Sequence, residues 1–268
     1  MALTLAVTGK GGVGKSTLAG TLARLWAAEG RQVLAIDADP DANLASALGL
    51  PPALRRSIRT IAEERQLIEE RTGARAREFG QVFRLNPDVR GIAEQYGTPF
   101  AGAHLVVLGA VQRAGAGCAC PEGVLLKALV RHLVLRPRDV VLLDMEAGIE
   151  HLGRGTAAGV GAMLVVVEPG QRSLDTACRI REMATALGVP RVAFVLNKAT
   201  AGDADRRWAA EALGGEHPLA AIPLDPRIAE ADRRGVCLVD LGAEDLLQPF
   251  REIQHILQAR FEGAAGGP

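Results

Sequence analysis

At 268 residues the chain is long enough to bury a sizeable core within one α/β domain. Its 31 basic and 31 acidic residues cancel, so no global charge draws it toward nucleic acid or an anionic membrane. Aromatic residues make up only 3%, and the wealth of Ala, Gly, Val and Leu instead suits a sheet with helices on both faces.

The N-terminus, Met1-Ala2-Leu3-Thr4-Leu5-Ala6-Val7, runs into a glycine-rich loop without the basic region and cleavage site of a signal peptide. No apolar run reaches the roughly 18 residues that cross a bilayer, which leads to the expectation of a cytoplasmic protein. Short apolar runs then alternate with helical patterns. Strands are predicted near 3–8, 32–37, 104–109, 139–144, 163–168 and 191–197, with a weaker one at 218–222. Helices are predicted near 15–29, 121–135, 172–187, 203–213 and 245–261. Val140-Val141-Leu142-Leu143 and Leu164-Val165-Val166-Val167 are apolar throughout, as strands covered on both faces require. Residues 50–100 are less regular and insertion-like. The arginine-rich stretch from Leu54 to Arg77 places Ile58, Ile61 and Ile68 on one face and reads as a solvated surface helix. We expect one domain over 1–262 and a disordered tail over 263–268.

Gly9-Lys10-Gly11-Gly12-Val13-Gly14-Lys15-Ser16-Thr17 fits G-x-x-x-x-G-K-[ST] between a predicted strand and a predicted helix. Glycines let the backbone curl until successive N–H groups face an anion, and the helix directs its positive end at the same point. Gly11, Gly12, Val13, Gly14, Lys15, Ser16 and Thr17 are therefore candidate ATP/ADP-binding residues. Lys15 is placed to bridge the β- and γ-phosphates, and the Ser16 hydroxyl to ligate Mg²⁺. The fold expected is a three-layer P-loop NTPase with a mostly parallel central sheet flanked by helices.

Lys10 adds a second lysine to the loop, and in this it resembles the MinD/ParA/nitrogenase-iron-protein class of deviant Walker A ATPases. That resemblance implies a homodimer closed over nucleotide, with Lys10 reaching the phosphates of the opposite subunit. Ile36-Asp37-Ala38-Asp39-Pro40 ends the second predicted strand with two carboxylates. By the same resemblance Asp39 orients the attacking water, while Asp37 supports the Mg²⁺ shell or the switch. Leu143-Asp144 resembles a Walker B pair, with Asp144 holding Mg²⁺ through water. Single aspartates at such places are often turn formers or caps, but two at the carboxyl ends of parallel strands beside a P-loop favour the site. Asn197 stands where the class reads adenine with an amide, and Ile222-Pro223-Leu224-Asp225 resembles its second base-contacting loop, making Pro223 and Asp225 candidates. Lys10, Lys15 and Asp39 are the candidate catalytic residues.

Of the four cysteines, Cys178 and Cys237 read as core residues. Cys118-Ala119-Cys120 precedes Pro121-Glu122, a pattern typical of a helix's first turn, where the dipole favours thiolate. Two thiolates from each of two chains would make a four-sulfur site, suited to zinc or nickel. Cys-x-Cys alone is common and often inert. The wider pattern is more specific. Gly117-Cys118-Ala119-Cys120-Pro121-Glu122, the segment Asp144-Met145-Glu146-Ala147-Gly148-Ile149-Glu150-His151-Leu152-Gly153-Arg154-Gly155-Thr156, and Val166-Val167-Glu168-Pro169 with Arg172-Ser173 closely resemble the CooC-type ATPases. That family, with its AcsF relatives, supports nickel insertion into carbon monoxide dehydrogenase or acetyl-CoA synthase. The resemblance implies a nickel or zinc site shared between subunits at Cys118 and Cys120, one of those enzymes as client, and neither nucleic acid nor membrane as partner. His151 and Glu146 are left outside the site. The rival readings are a MinD/ParA-like positioning ATPase on membrane or DNA, and an iron–sulfur carrier ATPase.

Overall fold

The computed structural model describes residues 3–75, 81–109, 121–134, 139–147, 159–200 and 203–261. Eight strands form one sheet. They are β1 (Leu3–Gly9), β2 (Val33–Asp37), β3 (Thr98–Phe100), β4 (Ala103–Val107), β5 (Val140–Asp144), β6 (Ala162–Val167), β7 (Val192–Ala199) and β8 (Ala221–Pro223). Their order across the sheet is β3-β4-β2-β5-β1-β6-β7-β8, parallel throughout except for β3. The described helices are α1 (Lys15–Ala28), α2 (Leu44–Ala47), α3 (Pro52–Ser57), α4 (Arg65–Thr72), α5 (Ile92–Tyr96), α6 (Pro121–Val134), α7 (Gln171–Leu187), α8 (Ala204–Ala212), α9 (Pro226–Arg234) and α10 (Glu244–Phe261).

Strand alternation divides the apolar side chains between two layers of core. Leu3, Leu5 and Val7 of β1 and Val140 and Leu142 of β5 point toward α1 and α10, where they meet Leu18, Leu22, Trp26, Phe250 and Ile253. Ala6, Leu34, Ile36, Val141 and Leu143 point to the opposite face, against residues of α6 and α7 such as Leu129, Leu133 and Ile180. Leu246, Leu247, Phe250, Ile253 and Leu257 of α10 are all buried, so the apolar stripe of that helix is part of the core. No helix among the described residues is long and apolar enough to cross a membrane.

The predicted strands and long helices are present within a few residues of their expected limits. The short elements differ. The edge strand β3 and the helices α2, α5 and α9 were not expected. The Leu54–Arg77 stretch does not form one solvated helix: it breaks into α3, a 3₁₀ turn (Ile61–Glu63) and α4. Ile61 and Ile68 are fully buried in the core beside α6. The break follows from Ile58 and Thr60, which take extended backbone and let the chain turn back onto the sheet. Cys237 is buried, as expected, whereas Cys178 is only partly buried against the core.

Candidate nucleotide site

The phosphate loop follows β1 at the middle of the sheet, where later strands are added on the other side and a crevice opens at the carboxyl ends. Gly9 sits so close to β6 that a Cβ there would lie 2.5 Å from the Val166 carbonyl oxygen. Gly12 and Gly14 hold φ of 79° and 97°, a region open to glycine at little cost. Val13 is buried beneath the loop, and its N–H donates to the Lys10 carbonyl at 3.4 Å, closing a tight turn. Lys15 then opens α1, and its buried ammonium lies 3.4 Å from the Asp39 carboxylate.

Two carboxylates lie under this loop, brought together by register. Asp37 ends β2 and Asp144 ends β5, and the two are direct partners across the parallel pair. Both share the strand parity of Val33, Ala35, Val140 and Leu142, which places them on the face covered by α1. Asp37 accepts from the Leu44 N–H at 2.9 Å and the Asp39 N–H at 3.2 Å. Burial, reinforced by the charge of Asp144, still pushes its carboxyl up to about 7. Burial likewise raises Asp144 to about 6, against the opposing pull of the Ser16 hydroxyl and the Lys15 ammonium. Neither Asp144 oxygen has a formed hydrogen bond.

Such orphaned, buried carboxylate oxygens next to a serine hydroxyl are the hard-oxygen donor set that a Mg²⁺ ion requires. The residues fit the cation. Among the described residues, no three or more His, Cys, Asp or Glu side chains are arranged so that they alone could hold a metal ion. Cys118 and Cys120, the segment 148–156 with His151, and the tail 263–268 lie outside the described residues.

Beyond the loop, a cavity of about 260 Å³ is lined on one side by Gly12, Gly14 and Thr17 and on the other by Asn197, Pro223 and Asp225. The Asn197 amide nitrogen donates to the Val13 carbonyl at 2.7 Å. A Cβ on Gly14 would stand 2.3 Å from that amide nitrogen. Asp225 caps α9 by accepting from the Arg227 N–H at 2.8 Å, and the Arg227 guanidinium pairs with the same carboxylate. Those bonds hold the Asp225 carboxyl below the ordinary range.

Of the residues singled out in the sequence, Lys15, Ser16, Asp37, Asp39 and Asp144 lie near one another at one end of this crevice, and Asn197, Pro223 and Asp225 line the other. Lys10 is half-buried at the turn and makes no ion pair among the described residues. Reading the sequence missed Lys198, Leu224, Ile228 and Asp232, which also line the cavity. The position of Leu224, between two residues already singled out, was the available signal.

The profile of the CobQ/CobB/MinD/ParA nucleotide binding domain matches residues 4–239. The chain belongs to that family. Within it, the chain is 45% identical to the carbon monoxide dehydrogenase accessory protein CooC of Rhodospirillum rubrum, over 96% of this chain and 95% of that protein. It is 39% identical to an uncharacterized ATP-binding protein of Methanocaldococcus jannaschii, over 87% of this chain and 90% of the relative. The likeness to CooC-type ATPases therefore runs along almost the whole chain. Among solved structures, a ParA family ATPase from Chlorobium tepidum superposes with a TM-score of 0.70 at 16% identity, covering 94% of this chain and 98% of that one. The MinD cell division protein of Aquifex aeolicus gives 0.68 at 21% identity, covering 96% and 98%. These two establish the fold of this nucleotide-binding ATPase family member.

Proposed function

We propose that the chain is a Mg²⁺-dependent ATPase that supports nickel insertion into carbon monoxide dehydrogenase, or into acetyl-CoA synthase, as a nucleotide-dependent homodimer. The observation that carries this reading is the 45% identity to CooC along 96% of this chain, a relative whose name ties it to carbon monoxide dehydrogenase. In this reading residues 1–262 act as one cytoplasmic P-loop domain.

Each residue has a task that its chemistry suits. The loop N–H groups and Lys15 bind the β- and γ-phosphates, and Lys10 contributes positive charge across the dimer to the phosphates of the second subunit. Asp39 orients the attacking water. Ser16, Asp37 and Asp144 would hold Mg²⁺, which when bound neutralises charge on the phosphate oxygens. Asn197, Pro223 and Asp225 face the adenine. Cys118 and Cys120 of two subunits gather nickel or zinc as cargo, released when hydrolysis relaxes the segment after Asp144. Metal and ATP then tighten each other's binding reciprocally.

Anaerobic titration with nickel and with zinc, in ADP or ATP, on the native chain and the Cys118→Ser/Cys120→Ser double variant tests the proposal, with mass followed by light scattering. One metal per two chains, lost in the variant and coupled to nucleotide-dependent dimerisation, is the expected result. Dimerisation and hydrolysis without cysteine-dependent metal binding would remove the nickel role and leave the ATPase.

A further inference from the structure

We infer that Lys198 is a positioning residue for phosphate binding: its ammonium, anchored by Glu168, holds the Gly12 carbonyl and thereby sets the turn of the phosphate loop. The inference rests on the reading of that loop as the nucleotide's phosphate site and adds a residue and a role to it.

The Lys198 ammonium donates to the Gly12 carbonyl at 2.7 Å and pairs with the Glu168 carboxylate at 2.9 Å. The neighbouring Asn197 amide donates to the next carbonyl along, that of Val13, at 2.7 Å. Two consecutive side chains at the end of β7 therefore grip two consecutive carbonyls of the loop. In a trans peptide the carbonyl and the following N–H point in opposite directions. Pulling the Gly12 carbonyl toward β7 turns the Val13 N–H back toward the Lys10 carbonyl, where it closes the turn at 3.4 Å. Holding the Val13 carbonyl turns the Gly14 N–H away from β7, into the concave side of the loop.

The backbone at Lys198 points the same way. Lys198 holds φ of 55°, a left-handed conformation that is strained for a non-glycine residue. The pairing of β7 with β8 shifts register between Leu196 and Ala199, around this residue. A glycine would meet the backbone requirement without strain, so the lysine side chain is what the strained position supplies. Glu168 follows β6 directly, two residues past Val166, the register partner of Gly9, and its own N–H donates to the Ser173 hydroxyl at 3.0 Å, which fixes the carboxylate's root at the start of α7. The ammonium is thus held from β6 and acts on the loop after β1. Charge-assisted bonds of this kind are about twice as strong as neutral ones.

Isothermal titration with ADP and with AMP tests the inference on the native chain and on Lys198→Met, Lys198→Gly, Lys198→Arg and Glu168→Gln. AMP lacks the β-phosphate that the loop and Lys15 hold. Lys198→Met and Lys198→Gly should weaken ADP about tenfold and AMP less than about twofold. Lys198→Arg should recover part of the loss, and Glu168→Gln should show a smaller loss of the same kind. Lys198→Gly should melt no lower than the native chain, because glycine relieves the strained φ, and this variant decides the matter if Lys198→Met folds poorly. Unchanged ADP affinity in Lys198→Gly, or equal losses for ADP and AMP, would overturn the positioning role. A native chain that fails to bind ADP would instead overturn the nucleotide reading and this inference with it.

Discussion

The two ends of the crevice are built on opposite principles. At the phosphate end, Lys15, Asp37, Asp39 and Asp144 are all buried, and two of the carboxyls are lifted toward neutral pH. At the end lined by Asn197 and Pro223, Asp225 caps α9 and is paired with Arg227, its carboxyl lowered. The first end carries electrostatic tension that a cation bound there would relieve. The second stores its cost in backbone shape, at Lys198. The two parts of the crevice meet where Asn197 and Lys198 hold the loop carbonyls of Val13 and Gly12.

The sharpest way to break this contrast is at the phosphate end. Lys15→Ala should lower ATP hydrolysis by about 10²- to 10³-fold, measured by phosphate release, because a preorganised charge at the developing oxyanions is lost. A milder loss would mean that Lys10 or the loop amides carry most of the charge stabilisation. Gly14→Ala presses the two ends into each other. Its Cβ would stand 2.3 Å from the Asn197 amide, at a φ of 97°, so nucleotide affinity should fall about 10- to 100-fold. Retained affinity would show that Asn197 can let go of the loop without consequence.

The tension itself has a pH signature. A carboxyl whose folded pKa lies above its ordinary value holds its proton more tightly in the folded chain. Stability therefore falls as pH rises from about 4 to about 7, and levels off above that. Thermal melts in EDTA should follow that slope, and Mg²⁺ with ADP should flatten it. Asp144→Asn, which gives up no formed hydrogen bond, should melt higher than the native chain at pH 7.5 by about 3 °C or more and lose its response to Mg²⁺. A variant that melts lower would deny that the buried charge is strained. The smallest effect belongs to the base end: Asp225→Ala removes the cap of α9 and should lower the melting temperature by about 2–4 °C, with little dependence on pH between 6 and 8.

What could be read from the sequence follows from how each feature is encoded. The phosphate loop is contiguous, so its glycines, Lys15 and Ser16 announce themselves in one window. Asp37 and Asp144 are far apart in the chain, yet each closes an apolar run, and strand ends in a parallel sheet converge at one edge. The long helices were legible from their apolar periodicity. Short pieces were not. β3 is three residues with a central proline, and α9 buries only Ala231, so neither has the pattern that marks an element. Ile61 and Ile68 sit among arginines and glutamates, and only the tertiary turn at Ile58 to Thr60 reveals them as core. Lys198 was overlooked because its role lies in a backbone conformation and a carbonyl contact, neither of which a residue type encodes.

Arg227 also reaches past Asp225 to the Asp245 carboxylate at 2.7 Å, in the first turn of α10. The loop beside the base cavity and the root of the C-terminal helix are consequently bolted to the same guanidinium. Exposed pairs of this sort add little stability, so the connection is one of geometry. The far side of α10, with Glu252 and His255 exposed, becomes a natural handle: a label carried there would ride on the helix that shares its anchor with the base pocket, without entering the crevice.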